Sequence, residues 1–283
     1  MDNYTGTFSF IDIDSEYIAA LYKEPLLPPE DLVLPLNSFV VLSNGSTSFI
    51  GKVNEQGKIA PLCNTKNLES FSGIKPRNKE QHMLLDGMLN KEISLLIAIG
   101  KAGVGKTLIA SAAAIHLLRT SKYHRLILTK PFTTIGKKHA IAALPGNVKE
   151  KFEPYLINFK SNLELFLQKS EMLKWEEQDR IQYLPIQLML GASFMNTLII
   201  ADETQNLTIS EMKALGTRIG EGSKLVLLGD LEQVHEAEAK DMKKNGLSRL
   251  LNDIRIIESP LTCAIKLIKG ERSSLANLIA DVL

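Results

Sequence analysis

Gly100-Lys101-Ala102-Gly103-Val104-Gly105-Lys106-Thr107 has the form G-x-x-x-x-G-K-[ST]. Glycines let a backbone bend until successive amide N–H groups converge on one oxyanion. A helix starting at Lys106 would add its positive end at the same place. Lys106 can then reach β- and γ-phosphates, and the Thr107 hydroxyl can ligate Mg²⁺. The implied chemistry is capture of a nucleoside triphosphate, with Gly100, Ala102, Gly103, Val104, Gly105, Lys106, Thr107 and Leu108 around the phosphates.

Asp202-Glu203 directly follows the apolar run Thr197–Ala201. Carboxylates placed there stand at the C-terminal edge of a sheet, where ligands bind in open α/β folds. Asp202 would hold Mg²⁺, directly or through water, and Glu203 would orient and polarise an attacking water. Gln233, in Gly229-Asp230-Leu231-Glu232-Gln233, can donate to a γ-phosphate and accept from water. A transition-state cation would come from Arg218, in Thr217-Arg218-Ile219-Gly220, or from Arg272. Taken singly, the acidic pair also suits a loop before a helix, Gln233 a solvated side chain, and each arginine a surface salt bridge. The phosphate-loop pattern upstream favours the chemical reading.

Several elements must position these groups. An apolar run, Ile93–Ile99, reads as a buried strand ending at Gly100. Leu108, Ile109, Ile115 and Leu118 then recur at helical spacing. Further strands are expected at Arg125–Thr129, Thr197–Ala201, Lys224–Leu228, Ile254–Ile257 and Ala264–Ile268. Thr208 with Glu211 makes a capping box for the helix after the acidic pair. Upstream, Asn78 is the expected N-cap of a helix within 74–92 that turns Met83, Leu84, Met88 and Leu89 inward. Gln81 occupies the capping-box position of that helix. Ser273–Leu283 has the spacing of a terminal helix. Strands alternating with helices imply a parallel sheet covered on both faces.

Residues 1–75 differ in style. Phe39–Leu42, Phe49–Val53 and Ile59–Leu62 are short strand-like runs separated by the turn signals Asn44-Gly45 and Gln56-Gly57. They read as a small β meander or barrel, after a proline-rich stretch at 23–37 expected to be extended or looped. Residues 130–190 form a long polar and helical insertion. In it Lys137, Lys138, Lys149 and Lys151 lie near Phe152, Tyr155 and Phe159. That set suits either a stacking groove for single-stranded nucleic acid or an amphipathic helix with its aromatics in the core.

The 283 residues suffice for one large or two modest domains. Hydrophobic residues at 45% and charged residues at 23% are ordinary for a globular protein. A net charge of +1 gives no bulk electrostatic argument for nucleic acid. Cys63 and Cys263 stand apart from each other and from any histidine cluster, which argues against a zinc site or a disulfide framework and suits the cytoplasm. The N-terminus lacks the pattern of a signal peptide, and no apolar run approaches the ~20 residues of a membrane span.

As a set, Arg77-Asn78-Lys79-Glu80-Gln81, the phosphate loop, Thr129-Lys130-Pro131, Leu144-Pro145-Gly146, Asp202-Glu203-Thr204-Gln205-Asn206, Thr217-Arg218-Ile219-Gly220, Gly229–Gln233 and Gly270-Glu271-Arg272-Ser273 resemble the ATPase region of PhoH-family proteins, relatives of superfamily 1 helicases. The resemblance covers roughly residues 75–283. Residues 36–75 are similar to the small β segment that precedes the ATPase in longer members. It implies a RecA-like P-loop domain at 76–283 after a β-rich domain at 1–75. It further implies that Gln81 reads the adenine edge and that Arg272 acts near the γ-phosphate. Ring-shaped homo-oligomers such as hexamers are expected by analogy, with Arg218 or Arg272 serving a neighbouring subunit. The chain departs from the family pattern at Lys130 (usually arginine), at Ala192 in Gly191-Ala192-Ser193 (usually arginine) and at Thr204 (usually alanine). The stretch upstream is too short for the PIN ribonuclease domain of longer members, so no nuclease activity is carried over.

The leading expectation is a Mg²⁺-dependent ATPase coupled to RNA or single-stranded nucleic acid, including RNA unwinding. A P-loop kinase and a nucleotide-gated interaction module remain as alternatives.

Overall fold

The computed structural model describes residues 3–29, 32–63, 75–131, 156–186, 189 and 191–270. Arg272, the helix expected at Ser273–Leu283, and the groove candidates Lys137, Lys138, Lys149, Lys151, Phe152 and Tyr155 lie outside them.

The contiguous apolar runs fold as strands buried on both faces, the pattern of parallel sheets. Strands β5 (Leu95–Gly100), β6 (Arg125–Thr129), β7 (Ile181–Tyr183), β8 (Thr197–Ala201), β9 (Lys224–Gly229) and β10 (Thr262–Leu267) make a six-stranded sheet in the order β10-β5-β9-β8-β6-β7, parallel throughout. One strand, β9, separates the phosphate-loop strand from the acidic strand, as expected of a RecA-like core. Successive residues point to opposite faces. Leu96, Ala98, Leu126, Leu128, Leu198, Ile200, Val226 and Leu228 join one core layer. Ile97, Ile99, Ile127, Ile199, Ala201, Leu225 and Leu227 join the other.

Helices α2 (Lys79–Leu89), α3 (Lys106–Arg119), α4 (Ile157–Glu164) and α5 (Lys169–Glu177) cover the first layer. Helices α6 (Ile209–Gly216) and α7 (Gly246–Leu251) cover the second. The capping box at Thr208 and Glu211 forms. At Asn78 only half of one does. Asn78 accepts from the Gln81 N–H at 3.0 Å, whereas the Gln81 side chain accepts from Arg77 N–H, one residue before the cap.

The strand expected at Ile254–Ile257 is instead a one-turn helix, α8 (Ile254–Ile257), capped by Asp253 accepting from Arg255 N–H. Its isoleucines are not buried, so no sheet neighbour realises their β propensity. Strand β10 begins two residues before the expected start.

The N-terminal region carries a four-stranded sheet of β1 (Thr7–Phe10), β2 (Phe39–Ser43), β3 (Ser48–Val53) and β4 (Ile59–Pro61). The last three form the expected meander, while β1 pairs parallel to β2 through a connection containing helix α1 (Ser15–Leu21). This sheet packs into the larger unit. Phe39 is buried in the first core layer, and Lys52 Nζ donates to Asp86 on α2 at 2.6 Å. A Cβ on Gly6 would sit 1.8 Å from the Ala264 carbonyl oxygen, so β10 meets the chain there at a distance only glycine permits.

Lys224 opens β9 fully buried. Its Nζ donates to the carbonyls of Gly87 and Met88, each at 2.9 Å, and of Asn90 at 2.5 Å. It thereby satisfies carbonyls at the C-terminal end of α2. Burial still pulls its pKa down to about 7. The unfolded chain keeps that proton up to the ordinary lysine range of about 10.4, so above pH 7 unfolding takes up a proton. Unfolding free energy is therefore expected to rise with pH from about 7 towards 10. Urea titrations at several pH values should show that rise, and Lys224→Met should flatten it.

Candidate active site

Every sheet strand that carries a candidate group delivers it to the C-terminal edge. After β5 the chain turns at Gly100 (φ 153°), Gly103 (φ 84°) and Gly105 (φ 92°) before α3. A Cβ on Gly105 would meet Gln81 Nε2 at 2.8 Å, and one on Gly100 would meet the Leu267 carbonyl oxygen at 2.3 Å. No side chain caps α3, so its first N–H groups remain available to an anion. Lys106 is buried, and its ammonium donates to the Gly100 and Lys101 carbonyls at 2.5 and 3.0 Å.

Across the cleft, Thr107 Oγ1 donates to Asp202 Oδ2 at 2.9 Å. The other Asp202 oxygen accepts from the Glu203 N–H at 2.9 Å. Burial, with Glu203 adding to it, raises the Asp202 pKa. That crowding of two acids beside a hydroxyl is what a divalent cation relieves, so the donor set fits Mg²⁺. Glu203 sits in the left-handed region at φ 56°, ψ 31°, a conformation costing roughly 1–3 kcal/mol that concentrates at functional sites. Its side chain is exposed to the cleft.

These groups line a cleft of about 530 Å³ together with Gly229, Asp230 and Gln233. Asp230 Oδ2 is buried without a hydrogen-bond partner. The polar stripe Asn158, Ser161 and Asn162 of α4, followed by Leu165, lines the same cleft. Phe159 and Leu163, on the other face of α4, are buried in the core. Phe159 therefore belongs to the core and not to a stacking groove.

Three groups were not assigned roles from the sequence. Gln205 hydrogen-bonds Glu203. Lys130, just past β6, feels both acids, although burial lowers its pKa overall. The α4 stripe has the i, i+3, i+4, i+7 spacing of one helix face, which was readable once the helix was set.

Two expected contacts take a different form. The Gln81 amide is engaged by Arg77 N–H at 2.9 Å and by the Val104 carbonyl at 3.0 Å, so it braces the phosphate loop. Arg218 lies beyond the N-terminal end of β8, where its carbonyl accepts from Phe194 N–H and Ile219 bridges Phe194. At ~3.3 Å per residue, β8 alone puts roughly 13 Å between that edge and the acidic pair. Arg218 is not among the residues that line this cleft. Among the described residues no helix is long and apolar enough to cross a membrane.

Comparison with known proteins matches residues 73–283 to a family described as PhoH-like protein. Protein PhoH2 of Bacillus subtilis is 38% identical over 260 residues, covering 87% of this chain and 56% of its own length. A PhoH-like protein of the same organism is 32% identical over 212 residues, covering 71% of this chain and 65% of its own length. The chain thus spans between about half and two thirds of these curated relatives. Among solved structures, the Pif1 helicase of Candida albicans aligns with 74% of this chain and 43% of its own, at 16% identity and a TM-score of 0.37.

Proposed function

The chain belongs to the PhoH-like family, and on that premise we propose that it binds and hydrolyses ATP with Mg²⁺ and couples the reaction to RNA or single-stranded nucleic acid. The observation that carries the reading is the hydrogen bond joining Thr107 to Asp202 in a cleft that also holds Lys106 and Glu203. The α3 amides and Lys106 would bind and orient the phosphates. Thr107 and Asp202 would hold the metal, which when bound acts as a Lewis acid on phosphoryl oxygen. Glu203 would accept the proton of the attacking water, and Gln233 would sense the terminal phosphate. Arg272 is retained as the transition-state cation. Arg218, at the far edge of the sheet, is proposed to serve a neighbouring subunit in a ring-shaped homo-oligomer. The β-rich domain at 1–75 is proposed as a brace on the ATPase domain at 76–283, through Lys52 and Asp86.

Phosphate release is the direct test. With magnesium, turnover is expected and should rise on adding single-stranded RNA, most strongly at low salt. Folded protein that releases no phosphate would refute the hydrolase reading. Turnover unmoved by RNA or single-stranded DNA at any salt would remove the nucleic acid.

A further inference from the structure

Gln205 is fully buried beside the cleft. Its Nε2 donates to Glu203 Oε2 at 2.7 Å and to the Gln233 carbonyl at 3.2 Å. Its Oε1 accepts from Asp230 N–H at 3.0 Å. Both faces of the amide are therefore used, and its orientation is determined. Flipping it would set oxygen against the Glu203 carboxylate and an NH₂ group against the Asp230 N–H. Room for it comes from Gly229, where a Cβ would lie 3.1 Å from Gln205 Oε1.

The turn is also fastened by bonds that do not involve this side chain. Thr204 Oγ1 donates to the Leu228 carbonyl at 2.9 Å, and Asn206 Oδ1 accepts from His235 and Glu236 N–H at 2.7 and 3.1 Å. Those contacts already fasten the short helix 204–206 over the end of β9. The bond from Gln205 to Glu203 does something else: it fixes an otherwise exposed carboxylate on a flexible stem. It also links that carboxylate to the backbone of Gln233, which lines the same cleft.

We propose that Gln205 is the positioning residue that holds Glu203 for water activation and links it to the Asp230–Gln233 loop. The inference rests on the hydrolase reading of Glu203. Buried amides of this kind remove the rotamer freedom of a base and keep it in reach of its proton.

Gln205→Met keeps the length and volume and removes every bond. It is expected to lower kcat for ATP 10- to 100-fold while calorimetric affinity for a non-hydrolysable ATP analogue stays within threefold. In a Glu203→Gln background the same change should cost less than twofold, because its effect passes through Glu203. Gln205→Asn, whose amide is one methylene short, should reproduce the loss and serves if the Met variant melts below the assay temperature. A folded variant with full kcat would overturn the proposal, as would equal losses in both backgrounds. If the unmodified chain hydrolyses ATP and the variants match it, only this inference falls. If the unmodified chain does not hydrolyse ATP, the reading of Glu203 falls with it.

Discussion

Glu203→Gln is expected to lower kcat for ATP hydrolysis roughly 10²- to 10⁴-fold, the span typical of losing a general base, while ATP affinity changes by no more than a few fold. The amide keeps the shape of the side chain but cannot take a proton from water. The environment supports that role. The carboxylate is exposed to the cleft, one residue from Asp202, and gripped by Gln205. Its backbone sits in the left-handed region, and its N–H donates to Asp202 Oδ1. On the proposed reading Glu203 acts on water and not on the phosphates, so affinity should survive. Single-turnover phosphate release with parallel calorimetry separates the two quantities. An unchanged kcat would exclude Glu203 as the base that activates water.

Lys106→Ala is expected to reduce kcat/KM for ATP by roughly 10²–10³-fold, the scale of removing one preorganised donor to developing negative charge. The ammonium rests on the Gly100 and Lys101 carbonyls, which keeps a buried charge hydrogen-bonded inside its own loop. Phosphate oxygens are stronger acceptors for an ammonium than carbonyls are, so they would compete for it. Truncation should leave the loop folded, since Val104 stays buried and Gln81 still holds its carbonyl. Steady-state kinetics with a melting curve check both parts. A Lys106→Ala protein with normal kcat/KM would move the phosphate site elsewhere.

The central strands were legible because each is a short apolar run buried on both faces, and each ends at a polar or glycine residue. Such runs occur at Leu95–Gly100, Thr197–Ala201 and Lys224–Gly229. The same rule failed at Ile254–Ile257, where three isoleucines form a single helical turn under an Asp253 cap. Propensity there yields to tertiary context. Strand β1 escaped notice because Thr7–Phe10 pairs with a strand more than 30 residues later, parallel to it, and so leaves no hairpin signal. Strand β7 is three residues long.

At the site, spacing and residue type sufficed to nominate Lys106, Thr107, Asp202, Glu203 and Gln233, which the structure gathers around one cleft. The bond from Gln205 could not be read from spacing, since it depends on how the turn at 204–206 folds back over β9. Arg218 shows the converse limit. Its local sequence motif says nothing of which edge of the sheet it joins, and that is fixed by the Phe194 N–H donating to its carbonyl and by the bridge between Ile219 and Phe194.

Calorimetric titration of the folded chain with a non-hydrolysable ATP analogue, in magnesium and again in excess chelator, asks the basic question. The expected result is a saturable heat in magnesium, much weakened by chelation and by Lys106→Ala. A folded chain that takes up no nucleotide with magnesium present would contradict the assignment of this cleft.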